Sequence, residues 1–192
     1  QILCEKQIDA LTLKHLNNIL KLGDLHKSTG STLLVHGVTK YSRVILLRIG
    51  APNDLTPKEF FKAIVSVSNE LNNINFTKII FPINQFVNKL ITEQAATAYL
   101  VRALVDQGYI INSLKTQNKS KPANFQVYLH TNNPATKEIK QGLKNGQAIS
   151  EGVSLTKDLG NLPPNICTPT YLANSAKKLA RAYKMKVTVL EQ

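Results

Sequence analysis

The sequence predicts an α/β domain, a layered sheet with helices on both faces, followed by a long helix that leads out of the domain. Three observations predict it. Strand-like and helix-like segments alternate in the order β, β, α, β, α, β as far as Leu129, the pattern of a sheet packed between helices. Val44-Ile45-Leu46-Leu47 is apolar without alternation, which suits a strand covered on both faces. The chain has 192 residues and 43% hydrophobic content. That is enough for one domain of roughly 100–150 residues plus an appendage, and such a domain needs no disulfide or metal to fold.

The elements follow in order. Leu11 to Leu22 carries Leu13, Leu16, Ile19 and Leu20 at helical spacing, and Gly23 is its stop. Ser31–Val38 and Ser42–Ile49 are β-rich and separated by Thr39-Lys40-Tyr41. Thr56-Pro57-Lys58-Glu59 is a capping box with proline at the first helical position. Phe60, Ile64, Val67, Leu71 and Ile74 then mark one helix face. Thr77–Phe81 reads as a short buried strand ended by Pro82, and Thr92 opens a helix that Gly108 closes. Gln117–Asn124 is a polar, basic loop, and Phe125–Leu129 is a strand.

Asn133-Pro134 then starts a long helix through about Leu159, with Ile139, Leu143, Gly146, Ile149 and Val153 as its apolar positions. Gly142, Gly146 and Gly152 each weaken a bare helix by about 1 kcal/mol relative to alanine, so their presence points to close backbone packing. The two prolines of Asn161-Leu162-Pro163-Pro164-Asn165 break that helix. Thr168-Pro169 caps another, with Tyr171, Leu172, Ala176, Leu179 and Ala180 as its apolar residues, and Lys186–Leu190 reads as a strand. A domain boundary is expected at the long helix. Residues 1–149 form the α/β domain, and residues 150–192 carry the helix end, the proline junction and the start of a second domain.

Composition narrows the function. No apolar run approaches the roughly 18–20 residues of a membrane span, and no signal peptide is expected at the start. The first residue is Gln1 rather than Met, which leaves room for residues before it. Cys4 and Cys167 are far apart and set no ligand spacing, so they read as reduced thiols of a cytoplasmic protein. The histidines, His15, His26, His36 and His130, show no metal-ligand spacing. His36 and His130 end predicted strands, but they read as ordinary hydrogen-bonded side chains. Asp158 is the only acid near the proline break and reads as a helix-end residue. Nucleotide-binding glycine loops, His-Glu-x-x-His and Gly-x-Ser-x-Gly do not occur. No catalytic, cofactor-binding or metal-ligating residue is therefore assigned to this chain.

The net charge is +12, from 24 Lys and Arg against 12 Asp and Glu. One basic group is Lys115, Lys119, Lys121, Lys137, Lys140 and Lys144, with Glu138 the only acid between Gln107 and Ser150. A second is Lys177, Lys178, Arg181, Lys184 and Lys186. Such surfaces attract polyanions. The lysines are nonetheless read as a solvated surface without the interleaved aromatic stacking platform that nucleic acid would require, since lysines serve solubility alone.

The proline junction carries a resemblance. Val153-Ser154-Leu155-Thr156-Lys157-Asp158-Leu159-Gly160-Asn161-Leu162-Pro163-Pro164-Asn165, continued by Thr168-Pro169-Thr170-Tyr171-Leu172-Ala173, resembles the inter-domain segment of the leucine aminopeptidase (cytosol aminopeptidase) family. Leu33-Leu34-Val35-His36-Gly37-Val38, Arg43 to Leu47 with Gly50, and Leu55 to Phe60 are similar to that family's paired strands and the helix start after them. There are departures. Tyr109-Ile110-Ile111-Asn112-Ser113-Leu114-Lys115 lacks the second aromatic of the family's Tyr-x-Phe-x-x-x-Lys. The family's Asn-Thr-Asp-x-Glu-Gly-Arg segment and its metal-binding Lys and Asp residues have no match here.

The resemblance implies that this chain is the N-terminal non-catalytic domain and linker of an exopeptidase that removes N-terminal residues from peptides, leucine among the favoured ones. It implies two divalent metals, zinc or manganese, bound outside this chain. It also implies a cytoplasmic homo-hexamer and a three-layer sandwich with a mixed, mostly parallel sheet resembling macro domains. The alternative is a binding module whose basic face contacts nucleic acid or a nucleotide.

Overall fold

Local capping chemistry sets where the helices begin. The computed structural model describes residues 8–38, 41–111, 117, 125–131 and 136–190. In helix α1 (Ala10–Leu22), Asp9 accepts the backbone N–H of Thr12 at 2.9 Å and its hydroxyl at 2.6 Å. Gly23 ends α1 at φ +86°, a conformation that costs glycine nothing. Helix α2 (Pro57–Asn72) starts with the full capping box. Thr56 Oγ1 accepts from the Glu59 N–H at 3.3 Å, and Glu59 Oε2 accepts from the Thr56 N–H at 3.0 Å and its hydroxyl at 2.7 Å.

Thr92 caps α3 (Glu93–Gln107), and Thr168 caps α5 (Pro169–Ala182). The long helix α4 (Lys137–Asn161) begins later than the sequence suggests. Asn133-Pro134 lie outside the described residues, and Thr136 Oγ1 is the atom that accepts from the Ile139 N–H, at 3.1 Å.

The strands pair in two separate ladders. β1 (Thr32–Val38) and β2 (Tyr41–Leu47) form an antiparallel hairpin with Thr32 opposite Leu47 and Val38 opposite Tyr41. Tyr41, expected in the turn, is thus the first residue of a strand; Thr39 and Lys40 lie outside the described residues. β3 (Lys78–Pro82) and β4 (Gln126–His130) run parallel, with Ile80 opposite Tyr128.

The fold class is therefore α/β. Among the described residues, however, two two-stranded sheets stand where a single mixed, mostly parallel sheet was expected. Among the described residues, the expected strand Lys186–Leu190 joins no ladder. A lone extended segment has no second row of N–H and C=O groups to pair with, so residue propensity alone does not make it a strand.

Two apolar clusters hold the first part of the chain. The larger is built around Phe60, Phe81 and Phe86 with Ile64, Ile83 and Leu100. The ring centroids of Phe60 and Phe81 lie 5.1 and 5.2 Å from that of Phe86, a spacing worth roughly 0.5–1.5 kcal/mol per pair beyond area burial. On α2, Phe60, Ile64, Val67 and Leu71 are buried as their spacing requires, while Ile74 falls after the helix end and is half-buried. The smaller cluster packs Leu16 of α1 and Leu25 against Val35, Val38 and Leu46 of the hairpin.

The described residues divide into two compact units. One comprises residues up to Ile110 together with Phe125–Leu129, His130, Thr131 and 136–150; the other comprises residues 151–190 with Ile111 and Gln117. Among the described residues, no helix is long and apolar enough to cross a membrane.

Candidate functional site

Helices α3 and α4 of the first unit approach each other closely along a seam of glycines. A Cβ on Gly142 would meet the Gln94 carbonyl oxygen at 2.5 Å and Thr97 Cβ at 2.8 Å. One on Gly146 would meet the Ala98 carbonyl oxygen and Val101 Cβ, both at 2.8 Å. Advancing one turn along α4 advances the contact one turn along α3, so the two helices run parallel. Their N-termini are joined as well, for the Thr136 hydroxyl donates to Glu93 Oε2 at 2.8 Å while capping α4. Glu93, in the first turn of α3, thus sets a carboxylate beside two converging helix N-termini, where the macrodipoles favour negative charge.

This seam corrects the sequence reading of α4. Buried are Ile139, Gly142, Gly146 and Ser150, whereas Leu143 and Ile149 are 41% and 47% exposed. Gly152, also expected to pack closely, has nothing within 4 Å of its would-be Cβ.

A shallow depression of ≈ 370 Å³ lies beside the seam, lined by residues that include Tyr99, Arg102, Asn145 and Ile149. Its one cation is already engaged. The Arg102 guanidinium lies 4.7 Å from the Phe61 ring centroid, and its Nε lies 3.5 Å from Asp106 Oδ2. No nucleophile and base converge there, and the depression reads as the outer margin of helix packing.

The residues singled out in the sequence do not converge. His15 on α1, His26 in the loop after it, His36 within β1 and His130 at the end of β4 are all exposed. His26 Nδ1 lies 2.9 Å from Ser28 Oγ, a loop contact with no acid described beside it. His36 stands opposite Arg43 across the hairpin. Neither His36 nor His130 lines the depression at the seam. Asp158 is exposed on α4, and Cys167 is a half-buried free thiol; Cys4 lies outside the described residues. Among the described residues, no three His, Cys, Asp or Glu side chains gather as a metal ion would need.

Glu59 is a perturbed acid with a structural role. Hydrogen bonds from the Thr56 hydroxyl, and then from its backbone N–H, hold the Glu59 carboxyl below its ordinary range.

The basic groups separate onto different helices. Lys137, Lys140 and Lys144 are exposed on α4, while Lys115, Lys119 and Lys121 lie outside the described residues. In the second unit, Lys177, Lys178 and Arg181 are exposed on α5, with Lys184 and Lys186 beyond it. There the structure corrects a second reading, because an aromatic residue does interleave with these cations. Tyr171 lines a depression of ≈ 340 Å³ together with Asn174, Ser175, Lys177, Lys178 and Arg181. The signal was present in the sequence, since residues 171, 174, 175 and 178 follow the i, i+3, i+4, i+7 spacing of one helix face.

Comparison with known proteins adds what the geometry does not supply. Residues 3–118 match the family model described as cytosol aminopeptidase family, N-terminal domain. A probable cytosol aminopeptidase of Pseudomonas fluorescens (strain SBW25) is 35% identical over 190 residues, covering 97% of this chain and 38% of the relative. One of Paraburkholderia phymatum is 37% identical over 193 residues, with the same coverage of 97% and 38%. The chain thus spans little more than a third of the length of these relatives. Among solved structures, the bottromycin maturation enzyme BotP matches with a TM-score of 0.68 at 14% identity, over 91% of this chain and 36% of that one. The same enzyme in complex with Mn matches at 0.67, over 86% and 33%. At such identity the likeness speaks for the fold alone.

Proposed function

Because this chain belongs to the cytosol aminopeptidase family, we propose that it is the N-terminal, non-catalytic part of an exopeptidase that releases N-terminal residues from peptides, leucine among those favoured. The observation that carries this reading is the match of residues 3–118 to the family's N-terminal domain, joined to relatives aligned along 97% of the chain. The reading includes two divalent metals, zinc or manganese, that activate a water and polarise the scissile carbonyl. The described residues do not fit such a centre, since no cluster of ligands forms among them. In this proposal the metals are held by ligands outside this chain, and no step of the reaction is derived from its residues.

A cytoplasmic homo-hexamer belongs to the same proposal. So does a three-layer sandwich resembling macro domains. Its support is the parallel pair β3/β4, which leaves Ile80 56% and Tyr128 48% exposed, although parallel sheets are ordinarily covered on both faces. Ile80→Asp is accordingly expected to lower the thermal midpoint of the complete protein, and an unchanged midpoint would refute the covered sheet.

The activity is tested on two proteins, the full coding product that contains this chain and the 192-residue chain alone. The first is expected to hydrolyse leucine p-nitroanilide, to lose that activity on chelation and to regain it with manganese or zinc; the second is expected to be inactive with either metal. Turnover by the short chain, or none by the full product after metal addition, would sink the reading.

A further inference from the structure

We propose that the polar face of α5 is a contact surface for single-stranded nucleic acid, a base stacking on Tyr171 while Lys177, Lys178 and Arg181 hold the phosphates beside it. Helical geometry sorts α5 into two faces. Leu172, Ala176, Leu179 and Tyr183 make an apolar stripe, and Tyr171, Asn174, Ser175, Lys178 and Arg181 lie on the other side. The apolar stripe is 46% exposed at Leu172 and 37% at Leu179, so it has room for a cover.

On the polar face Tyr171 is 40% exposed and sits in one depression with the three cations. No Asp or Glu occurs between Asp158 and Glu191, and among the described residues no carboxylate pairs with Lys177, Lys178 or Arg181. Their charge is therefore available to an external anion.

The combination selects the ligand. Lysines and arginines alone bind any polyanion and track the phosphate backbone. An exposed aromatic ring between them adds stacking, which needs a base with a free π-face, and a duplex hides those faces within its stack. The exposed lysines of α4 do not offer this combination, because the residues between Lys137 and Lys144 include no aromatic.

The test uses the full coding product that contains this chain, with fluorescence anisotropy at about 50 and 200 mM salt. The probes are labelled oligothymidylate, oligouridylate, an abasic strand of equal length, and a duplex. Oligothymidylate or oligouridylate is expected to bind more tightly than the duplex or the abasic strand, and the better of the two identifies DNA or RNA as the source. Substituting Lys177→Gln, Lys178→Gln and Arg181→Gln together should reduce the slope of log affinity against log salt by about 2, from roughly 0.7 per phosphate contact. Tyr171→Leu should weaken binding at least fivefold, the lower end expected for one stacked base, while Tyr171→Phe and Tyr171→Trp retain it. Circular dichroism establishes that α5 is intact, and if Tyr171→Leu unfolds it the Phe and Trp variants with the abasic strand carry the test. The proposal is overturned if no strand binds at low salt, if duplex and single strand bind alike with no effect at Tyr171, or if Lys137→Gln, Lys140→Gln and Lys144→Gln abolish the binding.

Discussion

The glycine seam yields a prediction whose sign depends on position along a single helix. Replacing a mid-helix glycine with alanine gains about 1 kcal/mol of helix propensity wherever the methyl group has room. At Gly152 nothing lies within 4 Å, so Gly152→Ala is expected to stabilise the chain by close to that amount. At Gly142 the new methyl would stand 2.5 Å from a backbone oxygen and 2.8 Å from Thr97 Cβ. Neither is the far end of a flexible side chain, so α4 must move off α3. Overpacking of this kind costs typically 1–3 kcal/mol. Set against the propensity gain, Gly142→Ala is expected to be net destabilising by about 1–2 kcal/mol. Gly146→Ala behaves the same way for the same reason. The double variant should lose less than the sum, because one separation of the helices relieves both clashes and neighbouring sites do not add. Urea unfolding followed by circular dichroism measures all four variants. If Gly142→Ala raised the midpoint as Gly152→Ala does, the seam would not be closed as described and the argument would fail.

Two further outcomes follow from named groups. Glu59 has a depressed carboxyl, so its bond to Thr56 stabilises the fold above the ordinary value of 4.5 and that contribution disappears as the pH falls through the lower folded value. Glu59→Gln should therefore unfold more readily than the parent at neutral pH, with the gap closing in acid; a gap independent of pH would exclude an ionic contribution. Ser150 is 1% exposed, and its Oγ makes no hydrogen bond among the described residues. A buried hydroxyl without a partner costs roughly 1–3 kcal/mol, so Ser150→Ala should be neutral to stabilising, and a clear loss in urea midpoint would reveal a partner for it.

What the sequence made legible was local chemistry and a long motif. The capping box at Thr56 and Glu59 and the glycine stop at Gly23 were readable because each needs only residues within one turn. The family was readable from the junction around Asn161–Asn165, where many successive positions agree with one pattern. The α3–α4 seam was readable only in part. The glycines announced a close approach, but the accompanying apolar face was drawn through Leu143 and Ile149, which the structure exposes. A search for periodic large side chains looks for what fills a core. A helix that docks against another backbone instead turns its smallest residues inward, and its large ones are displaced to the margins.

The same physics explains why a candidate surface on α5 escaped a linear reading while the helix itself did not. Lys177 and Lys178 have Ala176 and Leu179 as chain neighbours, and read in order they look like cations in an aliphatic stretch. Wound at 3.6 residues per turn, Leu179 rotates to the side of Leu172, and Tyr171 comes up beside Lys178. Whether that ring binds a base is a question about a face, and faces exist only after the period of the element is known. If Tyr171→Leu leaves strand binding unchanged in a chain with α5 intact, the juxtaposition is packing geometry and the cations are ordinary solvated lysines. If binding falls while Tyr171→Phe holds it, the ring is the part that reads the base, and the charge only brings the strand to it.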